Sequence, residues 1–204
     1  RHGGRISVLQ RSKLVAVTLK VATLSASAQN EVGQFTLKPM VGLNLANITN
    51  NDGNIKVGVA AGVEAEYGIT ETFGISAGVL YSMQGCKDKD NSDFKSNVDY
   101  INIPILANAY LFKGFAVKVG LQPGFLVRAK EKYSNGGIAV DRDMKEFCNK
   151  VDLSIPLGIS YEYANFVFDA RYNWGLTKLF KDDARDKKSH NSVFMFSVGY
   201  KFAL

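Results

Sequence analysis

Eight charged side chains share their strand parity with small residues rather than with the bulky apolar residues beside them. They are Lys38, Glu64, Glu66, Lys118, Glu162, Asp169, Arg171 and Lys201. Four are cationic and four anionic, so the set is neutral. Charges confined together persist when they are paired and hydrogen-bonded, which predicts an interlocked ionic network. Lining an open path, the same residues would instead make a selectivity filter or a proton route. Counting through the connecting loops sets Lys38 opposite Glu66 and Arg171 near Lys201, and Arg128 and Asp152 form a further candidate pair.

Two other groups could do chemistry. His190-Asn191-Ser192 puts an imidazole and a hydroxyl on one parity, with Asp182, Asp183 and Asp186 nearby. Nucleophilic catalysis needs a base within reach of the hydroxyl and a group that orients the base, so this is the candidate for a lipid hydrolase. A polar loop that happens to hold a histidine explains the same residues; no catalytic residue is assigned, and the chain is read as not an enzyme. The two cysteines, Cys86 and Cys148, fall in or beside long polar connections on one side of the fold. In an exported protein they read as a loop-to-loop disulfide, with two separate thiols as the alternative. No Cys or His spacing suggests a metal site, and no cofactor motif occurs; the glycines alternate along segments rather than opening a helix.

The elements that must position these residues follow from a period of two. Phe35, Leu37, Val41, Leu43 and Leu45 share one parity, and Thr36, Lys38, Gly42, Asn44 and Ala46 the other. Such alternation is a strand signal, and it recurs eight times, at about 35–48, 56–69, 73–86, 98–111, 115–130, 151–163, 166–180 and 192–204. These runs exceed the usual five or six residues and suit the ~9–11 residues of a tilted membrane-crossing strand. Connections alternate between tight (70–72, 112–114, 164–165) and long (49–55, 87–97, 131–150, 181–191), as in barrels with short periplasmic turns and longer extracellular loops. Within the third long loop, residues 140–147 suit one or two helical turns.

The expected fold is therefore all-β: an eight-stranded antiparallel up-and-down transmembrane barrel. Its interior is just wide enough for side chains to fill. The glycine-bearing parity suits that interior, and the Phe, Tyr, Leu and Val parity suits lipid. Aromatics beside the tight turns, such as Tyr67, Phe73, Phe112 and Phe166, match an interfacial girdle.

The net charge of +6 does not point to nucleic acid. Residues 1–28 carry Arg1, Arg5, Arg11, Lys13 and Lys20 with no acid, leaving 20 basic and 19 acidic residues elsewhere. That leader resembles a secretory signal peptide, with an apolar run from Leu14 and a small-residue site at Ala26-Ser27-Ala28. Residues 29–204 form the barrel domain.

Three runs carry a family resemblance: Tyr100-Ile101-Asn102-Ile103-Pro104-Ile105-Leu106, Gly120-Leu121-Gln122-Pro123-Gly124, and Asp169 to Thr177 through Arg171 and Trp174. Together they resemble the PorT-like outer-membrane β-barrel family of Bacteroidetes. The resemblance implies a Gram-negative outer-membrane location, contact with outer-membrane lipid and lipopolysaccharide, and an aromatic C-terminal strand, ending here at Phe202 or Leu204, read by the barrel-insertion machinery. It names no outer-membrane protein partner. The expected function is a structural or interaction role through the extracellular loops, with a side-chain-filled lumen. A narrow ion or small-solute channel is the alternative.

Overall fold

Alternating segments pair with one another and close in a ring. The computed structural model describes residues 32–49, 54–87, 95–135, 138–179 and 189–204. Its strands are β1 (Phe35–Ile48), β2 (Asn54–Thr70), β3 (Phe73–Lys87), β4 (Lys95–Asn102), β5 (Ile105–Phe112), β6 (Phe115–Asn135), β7 (Ile138–Asp143), β8 (Val151–Tyr163), β9 (Phe166–Gly175), β10 (Asn191–Tyr200) and β11 (Phe202–Ala203). Every pairing is antiparallel, and β10 and β11 both pair with β1, which closes the sheet. The ring has eight staves, because β4 with β5 and β10 with β11 each make one. Closure removes the open edges that a bilayer does not tolerate. No helix among the described residues is long and apolar enough to cross a membrane; the crossing is made by strands.

The predicted fourth strand is one stave in two pieces. The stave is interrupted at Ile103-Pro104, where Pro104 supplies no N–H to the ladder; the Ile103 N–H still donates to the Pro123 carbonyl at 2.8 Å, and the Pro104 carbonyl accepts from the Gly78 N–H at 3.0 Å. The predicted helical turns at 140–147 reduce to a single turn, in which the Phe147 and Cys148 N–H groups both donate to the Met144 carbonyl, at 3.0 and 3.2 Å, and residues 138–143 are strand. β6 runs on to Asn135, and β7 folds back along it from Asn135↔Ile138 to Lys130↔Asp143, so the hairpin rises beyond the ring. The ninth strand ends at Gly175 rather than at 180. Residues 176–179 leave the wall there, and Leu179 is buried among Ile48, Cys86, Val98 and Tyr100. The leader at 1–28 lies outside the described residues, as do Asp182, Asp183 and Asp186.

The two faces divide by chemistry. Val41, Leu43, Val57, Phe168, Phe194 and Phe196 stand outward and exposed, whereas Lys38, Glu64, Lys118, Asp169 and Arg171 are buried inside. At the short-turn end Phe112 stacks on Phe115 with ring centroids 4.7 Å apart, and Tyr200 packs against both Phe166 and Phe202. The Tyr163–Phe166 hairpin turns through Ala164 and Asn165, both at positive φ (47° and 69°). That is the two-residue turn whose twist matches the flanking strands. A β-branched residue fits a positive φ poorly. Asn165→Val should therefore lower stability by about 1–2 kcal/mol, read as a lower urea midpoint in micelles by the fluorescence of Trp174.

A closed ionic lumen as the candidate functional site

Room for ions inside so narrow a ring comes from small residues opposite the large ones. Glu64 pairs across strands with Gly78 on one side and with Lys38 on the other. Gly158 lies between Lys118 and Arg171, cross-strand neighbour to both. A Cβ on Gly158 would come within 2.8 Å of the Ala170 carbonyl and 3.3 Å of the Arg171 Cβ. Asp169 is flanked by Ser160 and Ser197.

Five side chains meet at the centre. Lys38 Nζ donates to Glu64 Oε1 at 2.9 Å, and Arg171 Nη2 donates to Glu64 Oε2 at 3.2 Å. Lys118 Nζ donates to Asp169 Oδ2 at 2.9 Å and lies 3.7 Å from Glu64 Oε1. Arg171 grips Asp169 twice, through Nε at 3.2 Å and Nη2 at 3.1 Å. Each carboxylate thus serves several cations, and the group of three cations and two anions has a formal charge of +1. The short-turn mouth balances it. There Lys201 Nζ donates to Glu162 at 3.0 Å, the Tyr110 hydroxyl donates to Glu66, and Lys201 lies 5.6 Å from the Tyr110 ring centroid. Between mouth and centre remains a cavity of about 10 Å³, room for no more than about one water.

Further layers fill the rest of the lumen. Met40, Ala60, Leu80 and Met195 form an apolar cluster. Beyond it Asn44 and Gln84 both donate to the Ser82 hydroxyl, at 2.9 and 3.0 Å, and Lys56 Nζ donates to the Gln84 carbonyl at 2.6 Å. The long-loop end is capped by Ile48, Cys86, Val98, Tyr100 and Leu179. The cap is tied down by main chain, with the Asn149 N–H donating to the Leu179 carbonyl at 2.8 Å and the Leu179 N–H to the Ser189 carbonyl at 2.9 Å.

All eight charged residues singled out in the sequence thus lie in the lumen, but three expected pairs differ. Lys38 faces Glu64, and Glu66 faces Thr36, because the ladder sets Ala46 rather than Ile48 opposite Lys56, a shift of two residues along β1. Arg171 faces Met195 rather than Lys201, since β9 leaves the wall at Gly175 and the register shifts; the two cations are kept apart. Arg128 does not meet Asp152. Asp152 accepts from Thr177 Oγ1 and, at 3.1 Å, from Asn191 Nδ2, while a register shift in β6 turns Arg128 outward toward Asp99. Cys86 and Cys148 are both buried and not bridged; Cys86 is packed into the apolar cap instead. His190 and Ser192 have separate partners. His190 Nδ1 lies 3.0 Å from the Thr177 carbonyl, and Ser192 Oγ lies 3.0 Å from the Tyr172 hydroxyl. Among the described residues no cluster of three or more metal-ligating side chains occurs. Sequence reading overlooked Tyr110 and Lys56, although both share the inward parity of Asn108 and Gly58.

A sequence model of the family described as outer membrane protein beta-barrel domain matches residues 27–181. No curated protein sequence matches the chain. Among solved structures the fold is similar to Ail, the attachment invasion locus protein of Yersinia pestis, crystallised with the heparin analogue sucrose octasulfate. Identity is 18% over 84% of this chain and 100% of that one, with a TM-score of 0.52. It is also similar to Neisserial surface protein A, at 15% identity over 82% of this chain and 97% of that one, with a TM-score of 0.50.

Removing one member of the central group strands its partners. Glu64→Gln leaves Lys38, Lys118 and Arg171 around the single carboxylate of Asp169, and should lower stability by about 3–5 kcal/mol. Lys201→Gln, at the wetter mouth, should lower it by less than about 1 kcal/mol. Urea titration of both variants in micelles checks the contrast; equal losses would contradict the assigned geometry.

Proposed function

The chain belongs to the outer membrane protein beta-barrel domain family and resides in the cell outer membrane, and from that premise we propose a non-enzymatic barrel with a sealed interior that acts as a membrane-structural or interaction protein through its extracellular loops. The observation that carries the reading is the lumen itself. From the mouth pair Lys201–Glu162 through the five central ions to the cap at Leu179, side chains fill the axis. A hydrated ion needs a continuous wet path, and the gap beside the central ions holds about one water. Binding then falls to loops on a rigid scaffold. Within the family, the runs from Tyr100, Gly120 and Asp169 support a PorT-like member. Outer-membrane lipid and the insertion machinery are its proposed partners during life in the membrane and biogenesis. An enzymatic reading would need His190 to reach a nucleophile, and the Ser192 hydroxyl is paired with the Tyr172 hydroxyl instead.

Two measurements test this. In planar bilayers the purified protein should give no steady ion-selective openings; reproducible openings would favour the narrow channel. Phospholipid and lipid A incubated with the protein should remain intact, and turnover lost on His190→Ala would replace the proposal with a hydrolase.

A further inference from the structure

Three polar residues stand on the outward, lipid-facing wall. Asp99 pairs with Met83 on β3 and with Arg128 on β6, and a register shift at the next residue pair lets Arg128 share the outward side. Asp99 is fully buried on that side. The Tyr81 hydroxyl donates to its Oδ2 at 2.8 Å, and Arg128 Nη1 lies 3.9 Å from the same oxygen. The Arg128 side chain remains 43% exposed. A carboxylate held by a tyrosine therefore sits beside an arginine whose side chain is partly exposed on the outer wall.

Depth decides what that side chain meets. From Phe73 at the short-turn end to Met83 beside Asp99, a strand tilted by roughly 35–45° climbs roughly 24–28 Å at ~3.4 Å per residue. The apolar band of such barrels is about 25 Å tall. Arg128 thus lies at the outer edge of the hydrocarbon, at headgroup level, where its charge is tolerated and phosphates are found. A guanidinium presents a planar fork that binds phosphate through two N–H groups at once, more specifically than an ammonium.

We propose that Arg128, positioned by Asp99 and Tyr81 on the outer wall, is a binding site for the phosphate of an outer-leaflet lipid headgroup. The site fixes the barrel's height and rotation against its lipid neighbours, independently of anything the loops bind.

Native mass spectrometry of the purified barrel titrated with lipid in micelles tests the site. Diphosphoryl lipid A should bind the unaltered protein at least about tenfold more tightly than dephosphorylated lipid A, the ratio expected for one charge-assisted contact. Arg128→Gln should remove that preference. Lys113→Gln, at the opposite end in the exposed turn, should leave it unchanged. Phosphatidylglycerol distinguishes the source: binding equal to lipid A assigns the site to any lipid phosphate, and weaker binding assigns it to the phosphorylated glycolipid. Equal binding of the two lipid A forms by the unaltered protein would overturn the proposal whether or not a variant folds. So would an Arg128→Gln protein, shown folded by its unheated gel mobility, that retains the preference, or a Lys113→Gln protein that loses it.

Discussion

Glu64 and Asp169 hold three cations between them, and that arrangement decides which side of the sheet faces lipid. In water, an apolar core and a polar surface distinguish inside from outside. In a bilayer the outward face must be apolar, and an apolar interior would leave nothing to tell the faces apart. Ions supply the distinction. A slip of one residue turns every side chain to the opposite face. Each Lys or Arg then facing the bilayer midplane costs about 2–4 kcal/mol, against a total stability of about 5–15 kcal/mol. The network is thus a register device as much as a source of stability. Replacing buried ion pairs with packed apolar groups is often neutral or stabilising in soluble proteins, but here it would erase the code.

The same ions occupy the lumen. Glu64 and Asp169 each accept from more than one cation, and the glycines that make room for them, Gly78 and Gly158, sit close against the neighbouring strands. The interior is therefore occupied by its own chemistry. The cap at Leu179, drawn in from a loop, adds an apolar seal that the ring of strands does not itself provide.

How much was legible in the sequence follows from the range of each signal. Strand parity repeats every two residues, so the inward placement of Lys38, Glu64, Lys118, Asp169 and Arg171 could be read from a few neighbours. Which residue faces which depends on loop conformation. Lys38 meets Glu64 instead of Glu66 because the β1–β2 ladder ends at Ala46 and Lys56, two residues earlier on β1 than loop counting places it, and Arg171 escapes Lys201 because residues 176–179 fold over the lumen. The shift that turns Arg128 outward arises from pairing between β4 and β6 and has no local mark, neither Gly nor Pro, at Val127. The cap is tertiary packing and has no period at all.

A double-mutant cycle between Glu64 and Arg171 tests the central claim most directly. Unfolding free energies of the unaltered protein, Glu64→Gln, Arg171→Met and the pair, all measured in one micelle system, give the coupling between the two side chains. Interlocked charges predict a coupling of about 2–3 kcal/mol, with the pair less destabilised than the sum of the single changes. A coupling near zero would mean that the lumen charges are independent passengers, and neither register nor closure could then be attributed to them.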